Sequence, residues 1–373
     1  MNLAAAANEN LATISNVLIY SAMAVYVLAF GAHMAEWVLG GRSKVGRTAA
    51  ALTERPAGQA GAASGAASGA ASAPAVRVTG RGGTTVLERP RVVTRGAAGS
   101  RDVPDGPGAA GGDEGGDLYG RIAVSLTTLA FLLHAGGVLT RALSVERAPW
   151  GNMYEFSTTF SMVVVGSYLA LLLAKKPVRW LGLPLVTTVL LDLGLAVSVL
   201  YTESDQLVPA LDSYWLWIHV SCAIISGGVF YLGAVATVLF LFRDRYEAKL
   251  AAPEGKQPGA FADSVLSRLP AAATLDKFAY RVNALVFPLW TFTIIAGAIW
   301  AEAAWGRYWG WDPKEVWSFI TWVAYAGYLH ARATAGWKGR KAAYIALAAF
   351  ACFLFNYYGV NIFVTGKHSY AGV

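Results

Sequence analysis

Eight apolar runs, each close to the ~20 residues a helix needs to cross a bilayer, constrain this chain more than any other feature. They lie at about Ile14–Val38, Tyr119–Ala142, Tyr154–Ala174, Trp180–Leu200, Tyr214–Phe242, Leu285–Ala304, Val316–Ala331 and Ala342–Val364. The expected fold is therefore an all-α integral membrane protein with about eight transmembrane helices. Hydrophobic residues make up 55% of the chain and charged residues 14%, against roughly 45–50% and 25% in a soluble domain. The first run is too long for the apolar part of a signal peptide and follows no basic leader, so residues 1–39 read as the first span.

Residues 40–118 turn to Ala, Gly, Ser, Thr, Pro and Arg, including GAASGAASGAASAPA at 61–75. Such residues bury too little area to offset the backbone entropy of ordering, and the segment reads as a disordered loop. Residues 119–373 then form a seven-span domain.

Basic residues sort the connections. Arg42, Lys44 and Arg47 follow span one; Lys175, Lys176 and Arg179 follow span three; Arg243, Arg245, Lys249 and Arg281 flank the connection after span five; and Arg332, Lys338, Arg340 and Lys341 follow span seven. The alternate connections are acidic or nearly neutral, so these four, with the 40–118 loop among them, read as cytoplasmic and both termini as extracytoplasmic. The same placement excludes nucleic acid as the target of the net charge of +7, which is scattered through loops instead of forming a basic face. Cys222 and Cys352, each inside an apolar run, support neither a disulfide framework nor a Cys-rich metal site, and without a C-x-x-C-H the chain carries no covalent haem of its own.

Between spans six and seven, within a loop at 302–317, lies WGRYWGWDPKEVW, Trp305 to Trp317. Indole rings suit a lipid interface and equally a flat aromatic ligand. An interfacial anchor requires neither a fixed tryptophan spacing nor an Asp-Pro-Lys-Glu run, so Trp305, Trp309, Trp311 and Asp312 read as a binding platform at the extracytoplasmic surface. Asp312 also suits a helix cap with Pro313 at the first helical position and Glu315 in the first turn. Arg307 and Lys314 are the nearest cations.

Five histidines occur, and an imidazole inside a span is costly enough to need a reason. His219, about one turn into span five, and His368, just past span eight, reach the surface that carries the tryptophan loop. Neutral imidazole is a common axial ligand of haem iron, and paired histidines beside an aromatic platform suit that role. His330 lies about fifteen residues into span seven, roughly 20 Å from the loop at ~1.5 Å per residue. Helix packing and ligand binding both remain open for it, as for His33, while His134 reads as structural. The turn Pro149–Glu155 reads as a helix start capped by Asn152 or as part of the site wall.

The order PWGNMYEF, His219, WGRYWGWDPKEVWSFITW, YLHAR, GVNIFVTGKHSY resembles the CcsA/ResC family of the system II cytochrome c synthase, called CcsB in some lineages. The W-G-x-x-W-x-W-D spacing is similar to the WWD signature of haem-handling proteins in general. The resemblance covers roughly Tyr119 to Val373, extends to the first span, and leaves out the GAAS-rich insert. It implies haem b held against the tryptophan loop with His219 and His368 as axial ligands, His330 as a ligand at an inner site on an export route, and a ResB-like membrane partner. The product would be thioether-linked haem on a C-x-x-C-H apocytochrome c, made at the plasma membrane of a bacterium. Two other classes stay open: a non-catalytic haem chaperone or assembly scaffold, and a bis-His electron-transfer cytochrome.

Overall fold

The computed structural model describes residues 8–39, 118–205, 213–252, 258–334 and 336–368. The segment read as a disordered cytoplasmic loop lies outside them, apart from Leu118. Among the described residues there are ten α-helices, one 3₁₀ turn and one π turn, with no strand.

Helix α1 (Glu9–Leu39) packs most extensively on α2 (Leu118–Ser144), and α3 (Met153–Leu173) leads through a 3₁₀ turn (Arg179–Leu181) into α4 (Gly182–Ser198). Their shared core, with Tyr26, Val165, Tyr168, Leu181 and Leu185 fully buried, continues onto α5 (Tyr214–Ala251). After the short α6 (Ala260–Leu266), α7 (Ala272–Trp305) runs along α5, and α8 (Pro313–Ala333) pairs with α9 (Arg340–Leu354). A second core joins these four, centred on Phe230 stacked against Tyr325 at 3.8 Å. A π turn (Phe355–Gly359) then leads into α10 (Val360–Phe363).

Seven stretches of helix are long and apolar enough to cross a membrane: α1 to α5, α7, and α9 with α10. The expected span over Val316–Ala331 forms α8, whose 21 residues are long enough but include Lys314, Glu315, His330 and Arg332. It nevertheless runs antiparallel to α7 over much of the same depth. Arg332 meets Asp276 at 2.5 Å near the start of α7, and Trp322 Nε1 donates to Thr291 Oγ1 at 2.9 Å midway. The loop after Trp305 joins the opposite ends.

Several helices outrun their apolar runs. α5 continues past Phe242 to Ala251, and α7 begins at Ala272, ahead of Leu285. The added turns carry Arg243, Arg245, Lys249, Asp276, Lys277 and Arg281, because backbone hydrogen bonding extends a helix beyond its hydrocarbon-embedded part.

The connections gather at two ends of the bundle. At one end Asn8 N–H donates to the Ser144 carbonyl at 2.7 Å, Trp150 meets Trp217 edge-on at 6.1 Å, and His368 meets Trp305 at 4.8 Å. Both extremities of the described chain therefore lie at the end that carries the tryptophan loop. At the other end Glu36, fully buried, bonds Arg179 at 2.9 Å and His33 at 3.2 Å, and the second nitrogen of His33 reaches Thr127 at 3.3 Å. His33 is thus a satisfied polar residue between helices. Arg179→Met would leave Glu36 without its cation, a change expected to cost about 3–5 kcal/mol. Thermal unfolding in detergent should show the loss, and an unchanged midpoint would mean that the pair does not stabilise the bundle.

Candidate functional site

The loop after α7 is fixed by backbone chemistry. Gly306 ends the helix in the left-handed region at φ 68°, where a residue without Cβ is at ease. Asp312 caps α8 by accepting from Lys314 N–H at 3.3 Å, with Pro313 at the first helical position. Glu315 completes the capping box by accepting from Asp312 N–H at 3.0 Å, and it accepts from Gly310 N–H at 2.8 Å as well. Those two amides flank Trp311, which is held at φ 58°, in a region that L residues rarely adopt. One carboxylate thereby pins both sides of a strained residue.

This loop closes a cavity with an empty volume of about 1280 Å³, open mouth included. His219 from α5, His368 from beyond α10, Trp309 from the loop and Lys314 from the head of α8 all line it. Trp150 to Met153 form part of the wall, so the turn before α3 fulfils both expected roles: Asn152 caps the helix by accepting from Glu155 N–H at 2.8 Å while facing the cavity.

Each lining histidine is held by one ring nitrogen. His219 Nδ1 lies 2.8 Å from the Thr293 carbonyl. A carbonyl can only accept, so Nδ1 carries the proton and Nε2 keeps the lone pair. Its ring stacks on Trp300 at 6.2 Å and 7°, against Gly297, where an added Cβ would fall 2.6 Å from the imidazole. His368 Nδ1 donates to Asp312 Oδ1 at 2.7 Å, again leaving Nε2 as the acceptor of the neutral ring. Fixing the tautomer through a carbonyl or carboxylate is the usual second-layer arrangement of metal-binding histidines.

Burial raises the Asp312 carboxyl's pKa, but hydrogen bonds from His368 and Lys367 N–H outweigh it and bring the group down to about 2. Asp312 is therefore a permanent anion at neutral pH. At the head of α8, burial lowers the Lys314 ammonium to about 8 against the opposing pull of Asp312.

The remaining expected residues are placed less uniformly. Trp305 stands edge-on to Trp300 at 4.8 Å and to His368 at the same distance, outside the cavity lining. Arg307 pairs with Glu315 at 3.5 Å and lies over Trp305 at 5.8 Å. Trp311 is 69% exposed, touching Trp309 edge-on at 5.8 Å. His330 is exposed near the far end of α8 and is not brought to this cavity. His134 is buried against Tyr26 at 3.4 Å, in keeping with a structural role.

Sequence reasoning passed over Thr293, Gly297 and Trp300, which form one ridge of α7 beneath His219. Their spacing of four and three residues was the available signal. It also passed over Trp290 and Asn356. Among the lining residues, Trp290 Nε1, Trp300 Nε1 and Asn356 Oδ1 are buried without a hydrogen-bond partner. Two unpaired indole donors and one unpaired amide oxygen leave the wall with polar atoms that a ligand's polar groups would satisfy.

Residues 125–368 match the family described as Cytochrome C assembly protein. The chain is similar to the cytochrome c biogenesis protein CcsA of Gloeobacter violaceus, 34% identical over 294 residues that cover 68% of this chain and 87% of that one. It is 33% identical to CcsA of Synechocystis sp. over 294 residues, covering 67% and 86%, and 36% identical to CcsA of Trieres chinensis over 247 residues, covering 60% and 77%.

Proposed function

Because the chain belongs to the cytochrome c assembly protein family, as a multi-pass membrane protein of cytochrome c biogenesis, we propose that its cavity receives haem b as a substrate and presents it for covalent attachment to C-x-x-C-H apocytochrome c. The observation that carries this reading is the pair His219 and His368, each tied through Nδ1 and each lining the same aromatic cavity. Two neutral imidazoles offer two nitrogen ligands to one iron.

The reaction adds each cysteine S–H across one vinyl group: sulfur bonds one vinyl carbon, the thiol hydrogen goes to the other, and no net oxidation occurs. The protein's task is positioning. Two histidine ligands would exclude oxygen chemistry at the iron, Trp309 and Trp300 would line the porphyrin's pocket, and Lys314 would meet the anionic propionates from the cavity wall. The exposed indole of Trp311, outside the cavity lining, offers a contact to an incoming polypeptide.

Residues 119–373 form the haem-handling domain on this reading, with the cavity end extracytoplasmic by the basic-loop rule and the membrane that of a bacterial cell. His330, exposed at the opposite end, suits an inner haem ligand whose site a ResB-like partner completes. Co-expression with that partner and a C-x-x-C-H reporter tests the proposal through covalent haem on the reporter. Absence of covalent haem despite a haem-loaded complex would favour a chaperone, and full-stoichiometry, quinol-reducible haem with unimpaired cytochrome c maturation in a deletion strain would favour an electron-transfer cytochrome. Trp309→Ala is expected to lower haem per protein by about 10-fold at unchanged membrane abundance. Loss of the protein itself would instead mark the loop as structural.

A further inference from the structure

The two histidines are anchored very differently. His219 belongs to the long helix α5; its ring is wedged between Gly297 and Trp300 and bonded to a carbonyl inside α7. Moving it requires α5 and α7 to separate, and these two helices share one of the molecule's most extensive contacts. His368 lies in a turn of the segment that begins at Val364, after α10 has ended. Its imidazole is 17% exposed. Both Lys367 N–H, at 2.6 Å, and His368 Nδ1, at 2.7 Å, bond one side chain, the Asp312 carboxylate. Gly366 permits that approach, since a Cβ there would fall 2.7 Å from Asp312 Oδ2. The neighbouring contacts, Trp305 edge-on to His368, Trp300 at 5.5 Å from the same ring and Lys367 Nζ 6.0 Å from the Trp305 ring, are side-chain contacts without a hydrogen bond.

Resting on the haem reading above, we infer that His219 is the fixed ligand and His368 the exchangeable one, carried on an arm that Asp312 latches to the tryptophan loop. The apocytochrome histidine then replaces His368: its nitrogen lone pair takes the iron position as the His368 bond breaks, with no proton or electron transferred. Asp312 is a positioning residue. Its carboxylate sets how long the arm stays in place, and its position at the head of α8 links arm release to displacement of the loop by an incoming polypeptide.

The test is carbon monoxide binding to the reduced, haem-loaded complex of the full chain with its partner, followed by the Soret shift. Carbon monoxide needs a vacated axial position, so at saturating gas the rate reports ligand departure. Asp312→Asn keeps a competent helix cap but removes the charge that holds the arm. Gly366→Ala pushes the arm away from Asp312 while leaving the carboxylate and its charge in the chain. Each is expected to raise the rate about 10-fold, on the scale of one charge-assisted hydrogen bond. Gly297→Ala, which crowds His219, is expected to lower haem occupancy and leave the departure rate of the remaining haem unchanged. Wild-type rates in both arm variants, or acceleration by Gly297→Ala alone, would overturn the assignment. A wild-type complex that shows no six-coordinate haem would instead defeat the haem reading itself.

Discussion

His219→Ala and His368→Ala are each expected to reduce cytochrome c maturation by about 100-fold or more, and added imidazole to restore part of it. An axial ligand contributes a single nitrogen, so a free imidazole entering the open cavity can occupy the vacated position. A histidine needed for packing or as a tethered proton donor would not be replaced so simply. Rescue should be greater for His368→Ala, because a small molecule substitutes best for a ligand that leaves during turnover. Covalent haem on a C-x-x-C-H reporter is the measurement. Wild-type maturation in either variant removes that residue from the ligand set, and inactive variants with an unchanged haem spectrum would move both histidines to the apocytochrome step.

Gly297→Leu is expected to eliminate haem binding as completely as loss of His219, by about 10-fold or more in haem per protein, while leaving both histidines in place. The first Cβ at this position already meets the His219 ring at 2.6 Å. A larger side chain must displace the imidazole or fill the cavity beside it. Leucine favours a helix more than glycine does, so α7 itself gains stability. Imidazole should give no rescue, because the obstruction persists; haem content and membrane abundance measured together distinguish this outcome from misfolding. Normal haem content in Gly297→Leu would show that the seat under His219 is dispensable.

The bundle was largely legible because hydrocarbon imposes length and apolarity on each crossing helix. Where chemistry at the helix ends differed, legibility fell: α7 starts in residues too polar to register as a span, and α8 carries a polar first turn that composition alone leaves short of a span. His219, His368, Trp309 and Lys314 were readable as one group since sequence depth along helices predicts which end of a bundle a residue reaches. The bonds from Thr293 and Asp312 that orient the histidines were not, because they join residues 74 and 56 positions apart. Trp311 shows a different limit. Tryptophan spacing identified the loop, but the left-handed backbone that turns this indole outward depends on where the Glu315 carboxylate reaches. Trp300 had no distinguishing feature among the apolar residues of its span until its neighbour His219 was in place.

The π turn at Phe355–Gly359 makes the reading register of the final helix a structural quantity. Each residue advances an α-helix by ~100°, so adding or deleting one position here would swing everything downstream by roughly a quarter of a turn. Tyr357 bonds Ser157 at 2.5 Å and Asn361 bonds the Tyr357 carbonyl at 2.6 Å, which ties that angular setting to α3. The segment should therefore tolerate substitution far better than insertion or deletion. Length changes can accumulate in the connections between helices, but from Phe355 to His368 the number of residues is itself part of the site's geometry.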